Sequence, residues 1–168
     1  MDYGLSTMDY RLPSTSMKKV LILIGSTSDE PVMNDSVRYL EWFGIQADMH
    51  VASAHRNPKL ATKLTETAKA EGYEVIIAAA GMAAALPGVV AAHTSLPVLG
   101  VPLEGGLQGG VDALYSIVQM PPGVPVGTLA VGKAGARNAA VLAARIIALH
   151  DDAVAGKLEE FKGMGFKL

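Results

Sequence analysis

Val20-Leu21-Ile22-Leu23-Ile24-Gly25-Ser26-Thr27-Ser28-Asp29-Glu30-Pro31 decides the fold class. The opening run of valine, leucine and isoleucine has no polar interruption, as in a strand buried on both faces. Gly25 turns the chain and a hydroxyl-rich segment follows. Glu30 and Pro31 then mark the first turn of a helix. Met33, Val37 and Leu40 recur on one face of that helix, and Gly44 ends it. A doubly covered strand feeding directly into a helix is the building unit of a parallel sheet flanked by helices.

The same alternation continues along the chain. Further strands are expected at 46–52, 74–80, 96–101 and 126–131. Asn57-Pro58 reads as a helix cap followed by the first helical residue, with Gly72 as the stop. Other helices are expected at 82–93, 111–119 and 136–149, with a more polar one at 151–162. Short connections and right-handed crossovers make this an α/β fold. The expectation is a three-layer sandwich around a five-stranded parallel sheet, flavodoxin-like or Rossmann-like. Residues 17–149 form a single catalytic domain and 150–168 a C-terminal helical extension, expected to pack on a neighbouring subunit. Residues 1–16 are polar and lack the apolar core of a signal peptide. They are expected to be a disordered leader.

Composition narrows the function. The 168 residues are 50% hydrophobic but only 5% aromatic, so the core is aliphatic. Net charge is −2 and no basic cluster extends beyond Lys18-Lys19. That argues against nucleic acid, whose phosphates demand many cations. Without cysteine there is neither a disulfide framework nor a thiolate nucleophile. No apolar run reaches membrane-spanning length, and a cytoplasmic enzyme is expected.

Two strand ends carry the chemistry. After the first strand, either Ser28 or Asp29 caps the helix while Gly25 turns the chain, or the hydroxyls of Ser26, Thr27 and Ser28 with the free helix N-terminus form an anion cradle in which Asp29 takes a sugar hydroxyl. The segment is neither a P-loop nor a G-x-G-x-x-G fingerprint. After the second strand, Ser53-Ala54-His55-Arg56-Asn57-Pro58 offers an arginine for bidentate phosphate binding. His55 beside it can move a proton near neutral pH. His50, His93 and His150 read as surface or helix-end residues, and no His/carboxylate spacing suggests a metal. The small residues of 78–88 pack helix on sheet, or admit a ligand to the backbone. The glycine-rich segment 104–110 is a loop or a lid. Lys133 and Arg137 follow the last strand and face either the site or solvent. The pattern is that of a site for a phosphorylated small molecule with acid/base chemistry.

Several ordered segments together resemble one family. They are Gly25-Ser26-Thr27-Ser28-Asp29, Ser53-Ala54-His55-Arg56-Asn57-Pro58, Leu86-Pro87-Gly88 and Pro97-Val98-Leu99-Gly100-Val101-Pro102, with Ser116-Ile117-Val118-Gln119-Met120-Pro121 and Gly132-Lys133-Ala134-Gly135. The family is the N5-carboxyaminoimidazole ribonucleotide mutases, the catalytic subunits of phosphoribosylaminoimidazole carboxylase. The resemblance implies a homo-octamer in de novo purine synthesis, acting on a phosphorylated ribonucleotide without cofactor or metal. The reaction moves a carboxylate from the exocyclic nitrogen to ring carbon C4 by release and recapture of CO2. The family's catalytic histidine falls on His55. Its substrate-binding residues fall on Ser26, Asp29 and Arg56, with Ser53 as a further phosphate contact. The backbone at Ala80-Gly81 would line the CO2 pocket.

Departures from the family pattern are equally specific. The mutase branch usually has Gly-Gly-Ala-Ala-His-Leu-Pro-Gly where this chain has Gly81-Met82-Ala83-Ala84-Ala85-Leu86-Pro87-Gly88. The second family histidine is therefore Ala85, and Asn57 replaces a usual threonine. Alanine at position 85 is a feature of the related branch that carboxylates aminoimidazole ribonucleotide directly with CO2. The other positions side with the mutase. Direct carboxylation is thus the alternative, and a non-catalytic nucleotide-binding module on the same fold is a third reading. Compensation for Ala85 by His93 would favour the mutase.

Overall fold

The computed structural model describes residues 17–168. The leader expected at 1–16 lies outside them. The strands are β1 (Lys19–Ile24), β2 (Gln46–Val51), β3 (Tyr73–Ala80), β4 (Val98–Pro102) and β5 (Gly127–Thr128). The helices are α1 (Glu30–Trp42), α2 (Pro58–Ala68), α3 (Leu86–Ala92), α4 (Val111–Val118), α5 (Gly132–Ile147) and α6 (Asp152–Gly163). The strands form one parallel sheet in the order β2-β1-β3-β4-β5. This is the flavodoxin-like order, which reverses direction between β1 and β3.

Alternation along the strands builds two cores. Val20, Ile22 and Ile24 of β1 point to one face, with Val75 and Ile77 of β3, and meet Met33, Leu40 and the alanines of α5. Leu21 and Leu23 point to the other face and meet Ala61 of α2, Val90 of α3 and Ile117 of α4. All of these residues are buried. Full burial of each large aliphatic side chain contributes about 1.5–3 kcal/mol. That is why a strand with no polar face is stable here and would not be at a surface.

The C-terminal helix is seated on its own chain. Asp151 caps α6 by accepting from the Val154 N–H (3.0 Å). Phe161 is buried and packs edge-on against Tyr39 and Phe43 around α1. Val154 and Phe161 of α6 thus join the core cluster of the same molecule.

Three boundaries differ from the sequence expectation. The helix expected at 82–93 begins only at Leu86. Pro87 in its first turn explains this: a helix entered earlier would drive the proline ring into the Ala83 carbonyl. β5 shrinks to two residues, paired with Leu99 and Gly100 of β4; beyond it only the Leu129 N–H still reaches Gly100 O (2.9 Å). α5 starts at Gly132 rather than 136, despite two poor helix formers in its first turn. Gly135 is required there, since a Cβ at that position would lie 1.7 Å from the Ala130 carbonyl oxygen.

Candidate active site

Four strand-to-helix connections converge at the carboxyl end of the sheet. After β1, the Ser26 hydroxyl accepts from the Ser28 N–H (3.3 Å) and the Asp29 carboxylate accepts from the Ser26 N–H (3.0 Å). The reciprocal pair is a capping box, and the Ser28 hydroxyl donates to Ser26 Oγ as well (3.0 Å). Capping and ligand binding are compatible, because the turn holds both side chains at the cavity wall. Burial pushes the Asp29 carboxyl up from its ordinary value, against hydrogen bonds from Ser26, Ser28 and Gly25 that lower it.

After β2, the Arg56 N–H donates to Ser53 Oγ (3.2 Å) and the Asn57 N–H to the Ser53 carbonyl (2.8 Å). Asn57 Oδ1 then accepts from the Leu60 N–H (3.2 Å), so the expected cap is formed. This tight turn leaves the side chains of His55 and Arg56 exposed. After β3, Gly81 runs so close to the next connection that a Cβ would lie 3.4 Å from the Glu104 carbonyl oxygen. After β4, the Leu103 N–H bonds to Ala80 O (2.9 Å) and delivers Glu104 to the rim.

These connections enclose a cavity of about 390 Å³ beside the β1/β3 reversal, a size suited to a small metabolite. The structure brings all five sequence-predicted residues, Ser26, Asp29, Ser53, His55 and Arg56, into its lining. The opposite wall is Ala80, Gly81, Met82, Ala83, Ala85 and Leu86. The cavity is therefore polar on one side and apolar on the other. Its titratable groups are Asp29, His55, Arg56 and Glu104. Among the described residues, His55, Arg56 and Glu104 make no ion pair within the protein.

Other candidates are placed elsewhere. His93 caps the end of α3 and pairs with Glu66 of α2 (3.3 Å), so it does not stand in for the histidine absent at Ala85. His150 pairs with Glu74. Arg137 turns to α1 and donates from Nε to Asp35 (2.7 Å), and Lys133 is exposed outside the cavity lining. A larger cleft, about 580 Å³, lies between α1, α5 and α6 and receives none of the four connections. Among the described residues no cluster of three or more His, Asp or Glu side chains has the spacing of a metal site. No helix there is long and apolar enough to cross a membrane.

Sequence reasoning missed Glu104 and Met82. Glu104 sat within a glycine-rich segment read as a loop. Its signal was its position just after β4, equivalent to those of Ser26 and Ser53 after β1 and β2. Met82 was assigned to a helix that begins only at Leu86.

Known proteins share this arrangement. The chain is 53% identical over 144 residues to N5-carboxyaminoimidazole ribonucleotide mutase of Vibrio vulnificus, covering 86% of this chain and 89% of the relative. It is 50% identical over 144 residues to the protein of the same name in Escherichia coli K12, covering 86% and 85%. The crystal structure of Treponema denticola PurE superposes with a TM-score of 0.80 at 28% identity, over 88% of this chain and 91% of that one. A model of the AIR carboxylase family matches residues 19–165. With its fold and half of its aligned residues shared, the chain belongs to the AIR carboxylase family.

Proposed function

We infer that the chain is an N5-carboxyaminoimidazole ribonucleotide mutase of purine biosynthesis. The observation that supports this most directly is that His55 and Arg56, which make no ion pair among the described residues, line one cavity with the small residues Ala80, Gly81, Ala83 and Ala85. Arg56 binds the substrate phosphate as a planar fork, assisted by Ser26 and Ser53, while Asp29 accepts from a ribose hydroxyl. His55 moves the proton. The carbamate C–N bond breaks, its electron pair stays on nitrogen, and that nitrogen takes one proton as CO2 leaves. Carbon C4 of the electron-rich ring then attacks CO2, and loss of the C4 proton restores aromaticity. One proton is taken and one returned, so a single proton carrier serves both steps. Confinement of CO2 beside the ring makes its recapture a local event. The same reading makes the protein a cytoplasmic homo-octamer with no cofactor.

One feature favours the direct carboxylase instead: the cavity wall carries Ala85 where the mutase branch has histidine. Steady-state turnover separates the two. The expected result is faster conversion of N5-carboxyaminoimidazole ribonucleotide without bicarbonate than of aminoimidazole ribonucleotide with CO2. The reverse preference assigns the protein to the direct carboxylases.

A further inference from the structure

We propose that Met82 is a specificity-determining residue of this pocket: its side chain covers the apolar end and keeps released CO2 beside the ring, away from water. The inference rests on the mutase reading above and assigns a role that neither His55 nor Arg56 can fill.

The backbone gives the first reason. Met82 has φ +56°, a left-handed conformation that is unfavourable for a residue with a side chain. Gln108 and Phe166 share that sign of φ among the described non-glycine residues, but neither lines this cavity. A glycine would hold the same turn without strain. The strain is stabilised locally: the Ala84 N–H bonds to Met82 O (2.9 Å) and the Ala85 N–H to Ala83 O (2.7 Å). The turn therefore presents Met82 outward.

The second reason is what surrounds it. Met82 is 65% exposed although it lines a cavity. Its neighbours Gly81, Ala83 and Ala85 have at most one side-chain carbon, so Met82 alone on this loop is long enough to reach across the mouth. A thioether on three rotatable bonds adapts its shape to what it covers. It lines the same cavity as Ser26 and Arg56. CO2 is small and uncharged, and the protein offers it no strong bond; only a closed wall retains it. Ala85, where the branch has an imidazole, lines the same cavity as this long apolar side chain.

The test is turnover of N5-carboxyaminoimidazole ribonucleotide in ¹³C-bicarbonate by the wild type, Met82→Gly and Met82→Leu. Carboxylate that never leaves the pocket gives unlabelled product; escape and exchange give labelled product and free aminoimidazole ribonucleotide. The expected result is several-fold more label and more free aminoimidazole ribonucleotide with Met82→Gly, near-wild-type values with Met82→Leu, and no loss of melting temperature in Met82→Gly. Equal label in wild type and Met82→Gly, with both turning over, overturns the inference and leaves the function standing. No isomerisation by the wild type overturns the function and this inference with it.

Discussion

At the amino end of the sheet, Lys18 lies 3.2 Å from Glu74 and 3.9 Å from Asp151, and His150 reaches the same Glu74. At the carboxyl end, His55, Arg56 and Glu104 border a cavity and pair with nothing among the described residues. Both ends carry cations, carboxylates and a histidine, so residue type does not distinguish them. Pairing does. A charge satisfied within the protein tethers elements, here β1, β3 and the α5–α6 turn. A charge left free beside a concave surface is available to a ligand, and its full interaction with that ligand is not offset by one broken inside the protein.

The largest expected effect lies with the histidine at the carboxyl end. His55→Asn keeps a polar side chain in the turn and removes the proton carrier. A fall in kcat of roughly 10²–10⁴-fold is expected, with KM little changed. Full retained turnover would remove His55 from the chemistry. Next comes Arg56. Arg56→Met keeps the length of the side chain and loses the charged hydrogen bonds, which are worth about 1.5–3 kcal/mol; KM should rise by about one to two orders of magnitude. Arg137→Met is the control, because that guanidinium already pairs with Asp35 and its loss should leave KM unchanged. Equal effects at positions 56 and 137 would break the distinction between free and paired cations.

The two walls of the cavity were not equally legible in the sequence. The polar wall was, because Ser26 and Asp29 follow β1, whose apolar run is hard to misread, and Ser53, His55 and Arg56 lead directly into the Asn57-Pro58 start of α2. β1 and β3 are covered on both faces, which leaves no polar alternation to obscure them. Asn57-Pro58 likewise marks the start of α2 by local chemistry alone. The apolar wall was misread, because alanine favours helix wherever local propensity decides. Pro87 acts four residues back, on Ala83, and a propensity reading of 82–93 does not weigh that geometry. β5 was overextended because its pairing with β4 stops at Thr128 opposite Gly100, a tertiary fact. Glu104 was hidden by its glycine neighbours. The specific reaction was legible only through the family resemblance; the residues by themselves spoke for a phosphorylated ligand and a proton carrier.

Acid separates the two ends more gently. Burial holds the Asp29 carboxyl above its ordinary value. Its folded form binds a proton more readily than the unfolded chain, so ionising it opposes folding, and acidification does not cost stability through this group. What acid removes there is the acceptor for a ribose hydroxyl, at a pH above that of an ordinary carboxylate. Asp48, near the amino end, behaves oppositely. Burial opposes its ionisation, but hydrogen bonds from Gln46 and Tyr73, with Lys19 and His50 nearby, together hold its carboxyl below the ordinary value. Its contribution is present above the unfolded value and is lost only as pH falls through the lower folded one. Lowering the pH from 7 should therefore raise KM before the melting temperature falls on account of Asp48. Parallel pH profiles of KM and melting temperature check the order; coincident declines would remove Asp29 from substrate binding. On the alkaline side, Tyr73 is pushed up to about 12 by burial and by its bond to Asp48. The stability it supplies should decline as pH rises from its ordinary value of 10.0 through that range.

The smallest effect is expected where the contacts are most numerous. Glu74 accepts from both Lys18 and His150, and Glu74→Gln removes the charge from both pairs while keeping the side-chain shape. Its side chain is only 25% exposed and that of Lys18 only 11%, but His150 is half in solvent, so screening limits the gain from that pair. Pairs of this kind are worth about 0–1 kcal/mol. A denaturation midpoint lowered by that amount, with kcat and KM unchanged, is expected. The absence of a kinetic effect is the informative half, because Glu74 and Ala80 lie on the same strand, β3. If Glu74→Gln altered turnover, charge at the amino end would be felt through β3 at Ala80 and Gly81, and the sheet would couple two ends that its pairing pattern keeps separate.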